Sequence, residues 1–438
     1  MKYKAIRGME DILPRDIEVW QWLERVARRE LEFYGYEEIR TPVLEDTSIF
    51  VRSIGETTDI VTKEMYSFKD RKGRPLTLRP EGTAPIVRAY IEHSLDKISP
   101  EVKLYYMGPM FRSERPQKGR SRQFHQIGVE VIGARSPLAD AQVIMQMSKM
   151  LELFRLKNFT VKLNSLGCGN DKRKFADELK KYLEAEKKRL CKDCKERIKK
   201  NVLRVLDCKN ESCAQIAAGA PDIANSMCVP CREHFDRVKN TLRAMKIKFE
   251  EVKNLVRGLD YYTGTVFEIT HPALGGQDAL GAGGRYDNLV KDFGGPDTGA
   301  IGYALGMERI IIALKDAKGL PGPVTIFVAT MGEETKLKGE VVAEQIRHSL
   351  GRKEGMRIRV VTDTKSASLK SQMRSADKKS ARVVVILGED ELKSQQATIR
   401  DMEKQEQKLV NLSSVVEEIK KQLDVITREH NDRSNPIV

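Results

Sequence analysis

The segment from Gly108 to Glu130 holds the densest set of residues that could carry out chemistry. It alternates as a β-hairpin does, and side chains two residues apart in a strand share one face. By that rule Arg112 and Glu114 lie on one face of the outgoing strand. On the return strand one face carries Phe124, Gln126, Gly128 and Glu130. The other face carries the aliphatic residues Ile127, Val129 and Val131. Polar groups are therefore expected to converge over an apolar underlayer, with a gap for a ligand at Gly128.

The tip of this hairpin is cationic. Its basic residues are Arg115, Lys118 and Arg120, with Arg122 at its edge. Guanidinium groups clamp phosphate oxygens and stabilise charge that develops on them. The tip therefore predicts a polyphosphate ligand, in preference to a solvated surface hairpin whose charges have no function.

The composition is that of an ordinary globular protein. Of 438 residues, 40% are hydrophobic and 32% are charged, which excludes an intrinsically disordered chain. No apolar run approaches the roughly 20 residues that span a bilayer, and the N-terminus lacks an apolar signal core. A cytoplasmic protein with no membrane partner is therefore expected.

The net charge of +14 favours a polyanionic partner such as nucleic acid. Selection for solubility, or a thermophile's surplus of Lys and Arg, would also produce this charge.

Apolar periodicity predicts the elements that position these groups. A helix is expected at 17–34, with Asp16 as N-cap and Gly35 as the stop, and a strand at 38–44. The other elements predicted in this part are strands at 103–112, 123–132 and 262–270 and a helix from about Ala304 to Lys315. This order is not the regular strand–helix alternation of a doubly wound fold.

The C-terminal part predicts a second domain. It follows a linker at 319–323 that is rich in glycine and proline. Its apolar strands are predicted at 324–329, 358–362 and 382–387, with helices between them. One helix is expected to direct Leu337, Val341, Ile346 and Leu350 to one side. We predict a first domain at 1–322, a small α/β domain at 323–427 and a flexible tail at 428–438.

A lysine-rich stretch at 167–253 interrupts the first domain and holds all seven cysteines. Disulfides are not expected in a cytosolic chain. Two C-x-x-C pairs are the usual donors of a tetrahedral structural zinc site, and here they are Cys191, Cys194, Cys228 and Cys231. Cys208 and Cys213 are surplus or alternative ligands. Free thiols are the other interpretation, and neither interpretation makes the site catalytic.

The hairpin segment resembles motif 2 of the class II aminoacyl-tRNA synthetases, in the form found in histidyl-tRNA synthetases. The helix and strand ending at Pro42 look like motif 1, which builds the dimer interface in that class, and Gly302–Arg309 looks like motif 3. Residues 255–268 (LVRGLDYYTGTVFE) and 283–287 (GGRYD) are similar to two histidine-specific elements of that family. The resemblance covers almost the whole chain, and the cysteine-rich insert is the least similar part.

For the fold, the resemblance implies the α+β class. It implies an antiparallel-sheet class II catalytic domain with an inserted, mainly helical subdomain, followed by a C-terminal α/β anticodon-binding domain. For the activity, it implies ATP-dependent activation of L-histidine to histidyl-adenylate and transfer to the 3′-terminal adenosine of tRNA(His) by a homodimer. ATP would lie on the sheet, since Gly281–Gly284 fits no glycine-rich nucleotide loop.

The family's functional residues carry over position by position. Those implied to bind histidine are Glu81, Thr83, Arg112, Gln126, Glu130, Arg257, Tyr261, Tyr262 and Tyr286. Those implied to bind ATP, with Mg²⁺ bridging its phosphates, are Arg112, Glu114, Arg120, Phe124 and Arg309. Arg257 and Arg112 are the implied catalytic residues. In this family Arg257 stands beside the α-phosphate, where other class II enzymes place a metal ion, and a cation there stabilises developing charge.

Two other functions fit part of the sequence. The regulatory subunit of ATP phosphoribosyltransferase shares the catalytic fold and would bind histidine without charging tRNA, but it predicts an eroded motif 2 loop and no C-terminal domain. A general RNA-binding protein explains the charge and leaves the pocket residues unexplained. Singly, each residue has an ordinary explanation, such as a helix-terminal carboxylate for Glu81 or core aromatics for Tyr261 and Tyr262. The ordered set favours the synthetase.

Overall fold

Residues 3–276, 278–314, 323–350, 357–363 and 367–434 are described by a computed structural model, with side chains as far as residue 424. The chain divides into two compact units, Met1–Lys318 and Gly319–Val438. Most of the predicted linker, 319–322, lies outside the described residues, as do Lys315 at the end of a predicted helix and the last four residues of the predicted tail.

The first unit mixes strands and helices without regular alternation along the chain. Its strands are β1 (Glu37–Glu38), β2 (Leu44–Asp46), β3 (Tyr66–Lys69), β4 (Pro75–Leu78), β5 (Val102–Phe111), β6 (Gln123–Ile132), β7 (Thr160–Ser165), β8 (Glu250–Glu251), β9 (Thr263–Thr270), β10 (Ala279–Arg285) and β11 (Ala300–Gly306). Its α-helices are α1 (Ile17–Phe33), α2 (Thr47–Ile54), α3 (Thr83–Glu92), α4 (Pro137–Leu153), α5 (Gly169–Ala185), α6 (Lys192–Lys200), α7 (Glu211–Ala218), α8 (Val229–Ala244), α9 (Leu289–Asp292) and α10 (Met307–Leu314).

The large sheet of this unit has the strand order β1-β5-β6-β11-β10-β9-β7-β8. Its edge pairs, β1–β5 and β7–β8, are parallel and its inner pairs are antiparallel. The predicted hairpin is confirmed as β5 and β6, and the predicted aliphatic underlayer is buried at Ile127, Val129 and Val131. The α+β class predicted for the chain is confirmed.

The predicted first helix is confirmed as α1, which ends just before Gly35, a glycine with φ +78°. Asp16 precedes α1 but makes no side-chain capping bond. The strand predicted at 38–44 is wrong, because the chain passes there from the large sheet at β1 to a small sheet of order β2-β4-β3. Pro42 lies in that crossing, where its lack of an N–H costs no ladder hydrogen bond.

The helix predicted to begin at Ala304 is also corrected. Ala304 belongs to β11 and pairs with Gly128 on one side and Ala282 on the other, so the helix begins only at Met307. Pairing on both edges supplies backbone hydrogen bonds that a helix would have to replace. Tertiary context therefore overrides the helical periodicity of this segment.

The inserted segment is mainly helical, as expected, and contains α5 to α8. Its helices surround a small apolar core whose buried members include Phe175, Leu179, Ile198 and Ile216. The segment returns to the large sheet through β8, which pairs with β7. The insert is therefore tied to the same sheet that carries the hairpin.

The second unit forms its own sheet. Its elements are β12 (Val324–Thr330), α11 (Glu333–Leu350), β13 (Ile358–Thr362), α12 (Leu369–Lys378), β14 (Ala381–Leu387), α13 (Glu389–Lys393), β15 (Gln396–Asp401), β16 (Gln407–Asn411) and α14 (Val415–Ser434). The strand order is β13-β12-β14-β15-β16, with β12 to β14 parallel and the last two pairs antiparallel. The three apolar strands are confirmed, whereas the more polar β15 and β16 were missed.

Two details of the second unit differ from the prediction or extend beyond it. Leu337 and Val341 are exposed on α11, whereas Val342 and Ile346 are buried, so the predicted apolar face is partly wrong. Helix α14 extends to Ser434, into the segment predicted as a tail. In the parts of the chain that the structure describes, no helix is long and apolar enough to cross a membrane.

Candidate active site

A cavity of about 680 Å³ lies against the large sheet of the first unit. Residues with little or no side chain line it where β11 and β10 cross beneath it: Gly302, Ala304, Gly306 and Ala282. In the sheet, Ala304 lies opposite Gly128 and Gly306 lies opposite Gln126. A flat ligand can therefore lie close to the backbone at Ala282 and Ala304, whereas the Glu130 carboxylate takes the space above Gly302. The glycine-rich stretch at 281–284 is part of a strand, which is why it fits no nucleotide loop.

Nearly all the residues predicted to bind substrate meet in this cavity. Those that line it are Glu81, Thr83, Arg112, Glu114, Arg120, Phe124, Gln126, Arg257, Tyr261, Tyr262, Tyr286 and Arg309. They come from the start of α3, the β5–β6 hairpin, the loop before β9, the end of β10 and the start of α10. Segments more than 200 residues apart in sequence thus contribute to one cavity.

Glu81 stands just before α3 and is buried. Its carboxylate accepts hydrogen bonds from the backbone N–H groups of Thr83 and Ala84, both at 2.8 Å. The hydroxyl of Tyr261 donates to it at 3.5 Å. Glu81 is therefore a helix-terminal carboxylate that binds the first N–H groups of α3, and it also forms part of the cavity wall. Burial raises the pKa of Glu81, so a cationic ligand group beside it would favour the charged form.

Glu130 lies behind the cavity wall and is only 1% exposed. Its carboxylate accepts a hydrogen bond from the Thr83 hydroxyl at 2.7 Å and another from the Tyr286 hydroxyl. Burial raises the pKa of Glu130 to about 8, against the opposing effect of these two hydrogen bonds. Thr83 and Tyr286 themselves line the cavity. A ligand group that enters between Thr83 and Tyr286 could therefore reach the Glu130 carboxylate.

Three tyrosines form one aromatic wall. The ring centroid of Tyr261 lies 4.7 Å from that of Tyr262 and 5.8 Å from that of Tyr286. The loop that carries the first two is held from behind by Lys172 of α5, whose Nζ donates to the carbonyl oxygens of Asp260 at 2.9 Å and Tyr262 at 3.3 Å. The insert therefore fixes the position of this wall, a role of Lys172 that no sequence pattern indicated.

The base of the hairpin tip is closed by side-chain contacts. Arg112 donates through Nε to the carbonyl oxygen of Pro80 at 2.9 Å, and its guanidinium lies 5.3 Å from the ring centroid of Phe124. Arg120 donates to the Glu114 carboxylate at 2.8 Å. Glu114 and Arg120 are thus paired with each other, although the family resemblance implies that they bind different parts of a nucleotide.

Two further arginines face the same space. Arg257 forms an ion pair with Glu268 of β9 at 2.5 Å, and its buried Nε has no hydrogen-bond partner among the described residues. Arg309 donates through Nε to the carbonyl oxygen of Gly119 at 3.1 Å, which ties α10 to the hairpin tip. Burial and the charge of Arg120 lower the pKa of Arg309. Arg112, Arg120, Arg257 and Arg309 offer guanidinium donors to an anionic ligand on this side of the cavity, although its lining also includes acidic residues.

Tyr106 of β5 lines the cavity and was missed by the sequence analysis. Its ring packs against Gly82 and Gly128, since a Cβ atom at either glycine would come within 2.3 Å of ring atoms. The gap expected at Gly128 is therefore filled by Tyr106 and is not free for a ligand. The signal was available in the hairpin register, which places Tyr106 directly opposite Gly128.

Gly128→Ala is expected to lower the free energy of unfolding by about 1–3 kcal/mol, because overpacking forces neighbours out of place. The ring it would strike is buried, so it has little room to move. Gly276→Ala is the control, since a Cβ atom there meets nothing within 4 Å. Urea unfolding compares the two variants. Equal stability of Gly128→Ala and the unaltered chain would contradict the tight packing of Tyr106.

The cysteines do not group as the sequence analysis expected. Cys191 and Cys194 lie with Cys208 and Cys213, and we call this set the four-cysteine cluster. Cys228 and Cys231 lie instead with Cys168 and Asp171, a set we call the mixed cluster. The predicted single site of Cys191, Cys194, Cys228 and Cys231 is therefore corrected. Folding of the insert brings the start of α7 beside α6, and the start of α8 beside the start of α5.

Both units match known protein families. Residues 8–310 match the model of histidyl-tRNA synthetase, and residues 325–422 match that of an anticodon binding domain. The chain is 45% identical over 415 residues to the histidine–tRNA ligase of Syntrophotalea carbinolica, covering 95% of this chain and 97% of that one. It is 46% identical to that of Aquifex aeolicus, covering 95% and 100%.

One solved structure extends the comparison to the fold. Apo S. aureus histidyl-tRNA synthetase is similar with a TM-score of 0.77 and 34% sequence identity. The match covers 95% of this chain and 99% of that one. The similarity therefore includes the sheet, the inserted segment and the C-terminal unit.

Proposed function

The chain belongs to the histidyl-tRNA synthetase family, and from that membership we propose how its cavity carries out the ligase reaction. The enzyme couples L-histidine to tRNA with ATP. In the first step the histidine carboxylate attacks the α-phosphorus of ATP, the bond to pyrophosphate breaks, and histidyl-adenylate forms. In the second step the 3′-hydroxyl of the terminal adenosine of tRNA(His) attacks the carbonyl carbon, and AMP leaves. The observation that carries the proposal is the convergence of arginines and the buried Glu81 carboxylate in one cavity, with the buried Glu130 carboxyl directly behind its wall.

The amino group of histidine is assigned to Glu81, Thr83 and Gln126. The Oε1 atom of Gln126 is buried and has no hydrogen-bond partner among the described residues. The buried carboxylate of Glu81 stands on the same cavity wall. An ammonium group donates in three directions, so it would satisfy the amide oxygen, the carboxylate and the Thr83 hydroxyl together.

The imidazole of histidine is assigned to Glu130 and Tyr262, enclosed by Tyr261 and Tyr286. Glu130 is reached between Thr83 and Tyr286, the two wall residues that donate to it. A carboxyl group facing an imidazole fixes its tautomer and orientation through a charge-assisted hydrogen bond. The aromatic wall limits the size of the side chain that fits.

ATP is assigned to the hairpin side of the cavity. Arg112 would contact the α-phosphate and the histidine carboxylate, and Arg120 with Arg309 would hold the outer phosphates. Glu114 would read the adenine, and Phe124 would stack on it. Arg120 donates to Glu114 at 2.8 Å, so the contacts assigned to them would exchange that pair for phosphate and base. This exchange would make nucleotide binding a rearrangement of the hairpin tip.

Arg257 is the proposed electrostatic catalyst, placed beside the α-phosphate. Its ion pair with Glu268 anchors one end of the guanidinium, and the partnerless Nε leaves a donor for an anion. Mg²⁺ would enter with the ATP phosphates and neutralise part of their charge. Glu268 lines the cavity and offers oxygen donors of the type that Mg²⁺ prefers, usually with several waters retained.

The wider partners follow from the same family membership. We assign anticodon recognition to the second unit, which matches an anticodon binding domain, and the net charge of +14 suits a tRNA ligand. We assign a homodimer interface to α1 and the segment that follows it as far as Pro42, where Phe33 is 86% exposed. The cytoplasm, where tRNA is charged, is the proposed compartment.

The test of the proposed function is ATP–pyrophosphate exchange without tRNA, run with each of the twenty amino acids. Histidine alone is expected to support exchange, because the cavity combines an ammonium site with a carboxyl group for the imidazole. Exchange with another amino acid would contradict the assigned pocket. If folded protein binds histidine but gives no exchange, the non-catalytic regulatory subunit of ATP phosphoribosyltransferase becomes the better interpretation.

A further inference from the structure

The four-cysteine cluster lies in the insert, outside the cavity. Its four Sγ atoms all lie within 4.8 Å of one another. Cys194 and Cys213 are fully buried, and Cys191 and Cys208 pack against the same apolar core. All seven cysteines of the chain are free thiols in the structure. Four thiols converging in one buried place require an explanation, because nothing in the proposed ligase reaction uses them.

The distances fit a shared ion rather than a disulfide. The Sγ atoms of Cys191 and Cys208 are 3.9 Å apart, well beyond the roughly 2.05 Å of a disulfide bond. Zinc bound to sulfur at about 2.3 Å in a tetrahedron separates neighbouring sulfurs by about 3.8 Å. The observed separation is therefore close to the edge of a zinc–thiolate tetrahedron.

Backbone N–H groups point at two of the four sulfurs. Cys191 is the N-cap of α6, and its sulfur accepts the N–H of Cys194 at 3.4 Å. The sulfur of Cys213 accepts the N–H of Cys191 at 3.3 Å. N–H groups directed at sulfur favour the deprotonated form, and the thiolate is the form that binds metal. A tetrahedral set of four sulfurs is typical of zinc or an iron–sulfur centre.

We propose that the four-cysteine cluster binds one structural zinc ion. The ion would join three parts of the insert: the start of α6, the turn at Cys208 and the start of α7. Arg204 lies in the short 3-10 helix just before the turn at Cys208 and Arg197 lies in α6, and the two arginines form ion pairs with Asp59 at 3.4 and 2.9 Å. All three residues line the cavity. The zinc ion therefore holds the part of the insert that forms one cavity wall, without touching the reacting groups.

The mixed cluster carries no such assignment. The Asp171 carboxylate accepts the N–H of Cys168 at 3.1 Å and the N–H of Cys228 at 3.0 Å. These bonds cap α5 and join it to the start of α8, which explains the position of Asp171 without a metal. Cys228 is also exposed. The C-x-x-C pair of this cluster, Cys228 and Cys231, therefore serves as the control for substitutions in the four-cysteine cluster.

The test is the metal content of the full-length protein, purified without chelator under reducing conditions and measured by elemental mass spectrometry. The unaltered chain is expected to retain zinc, and Cys191→Ser/Cys208→Ser is expected to lose about one equivalent per chain, the content of one tetrahedral site. Cys228→Ser/Cys231→Ser is expected to retain that equivalent. Unchanged zinc in Cys191→Ser/Cys208→Ser, no zinc in the unaltered chain even after incubation with zinc chloride, or iron in its place would each overturn the proposal.

A second measurement avoids dependence on folding of the variants. The unaltered protein, stripped of zinc and refilled with cobalt(II), is expected to show the strong visible bands of tetrahedral cobalt together with sulfur-to-cobalt charge transfer. A weak octahedral spectrum without charge transfer would overturn the proposal. Neither readout depends on ligase activity, so a failure of the proposed function and a failure of the zinc site are distinguishable.

Discussion

Arg257→Ala is expected to lower the rate of histidine-dependent ATP–pyrophosphate exchange by about 10²–10³-fold, the effect of removing one preorganised donor for developing charge. Arg257 is anchored by Glu268 and keeps a buried Nε available. Arg257 should stabilise the transition state, in which negative charge develops at the α-phosphate, more than it stabilises bound histidine. Histidine affinity, measured by calorimetry, should therefore change by less than about tenfold.

The control for this prediction is Arg173→Ala, which removes an exposed arginine of the insert. It should leave both the exchange rate and the histidine affinity unchanged. Equal losses of exchange rate and of histidine affinity in Arg257→Ala would contradict the catalytic role. Arg257 would then be a residue of the histidine pocket only, since uniform binding changes both quantities together.

Histidine affinity is expected to be flat between about pH 6.5 and 8 and to fall on either side. Free imidazole titrates near 6.5, and burial raises the pKa of Glu130 to about 8. Between about pH 6.5 and 8, free imidazole is neutral and the Glu130 carboxyl is protonated, so the two free partners together hold one titratable proton. The bound carboxyl–imidazole pair also holds one, which the two groups share in their hydrogen bond. Outside that window, binding must release or take up a proton, and affinity falls by about tenfold per pH unit.

Glu130→Gln isolates the contribution of this carboxyl group. The variant should bind histidine about 10- to 100-fold more weakly, the value of a hydrogen bond to a charged group, and should lose the part of the alkaline decline that belongs to Glu130. Any decline that remains comes from the ligand's own ammonium group. Calorimetry in buffers of different ionisation enthalpy measures the protons exchanged. An unchanged alkaline decline in Glu130→Gln would contradict the prediction.

The same raised pKa has a consequence for stability. A carboxyl whose folded-state pKa lies above its ordinary value of 4.5 favours folding at low pH, and that contribution is lost as pH rises towards 8. Between pH 5.5 and 8.5 the unaltered chain should therefore lose about 3 kcal/mol relative to Glu130→Gln in urea unfolding without ligand. A constant difference across this range would show that Glu130 is already ionised at neutral pH.

The hairpin was predictable because its signal is local. Side chains alternate across a strand with a period of two, so the sequence from 103 to 132 is enough to place Arg112, Gln126 and Glu130 on one face. The observed β5 is shifted by one residue from the predicted strand at both ends, and β6 has the predicted bounds. The apolar strands of the second unit were predictable for the same reason, whereas β15 and β16 carry too many polar residues to stand out.

Contacts between distant segments were harder to predict. The face of α11 was partly misjudged because Gly339 and Ala343 are buried as well as its large residues, and which side is covered depends on strands elsewhere in the unit. The cysteines were paired by their spacing, but the fold of α5 to α8 placed them in other groups. Spacing fixes only the partners within one C-x-x-C turn, since its two sulfurs are neighbours whatever surrounds them.

The sequence by itself determined the hairpin, the order of the motifs and the types of groups that would meet a nucleotide and an amino acid, and its resemblance to a known family implied the α+β class. It could do so because alternation and short motifs are properties of neighbouring residues. Only the tertiary structure decided that Tyr106 fills the space above Gly128, that Glu130 lies behind Thr83 and Tyr286, and that four cysteines of the insert converge. Burial and the raised pKa of Glu130 exist only once these segments pack together, because desolvation depends on every neighbour and not on the residue's own place in the chain.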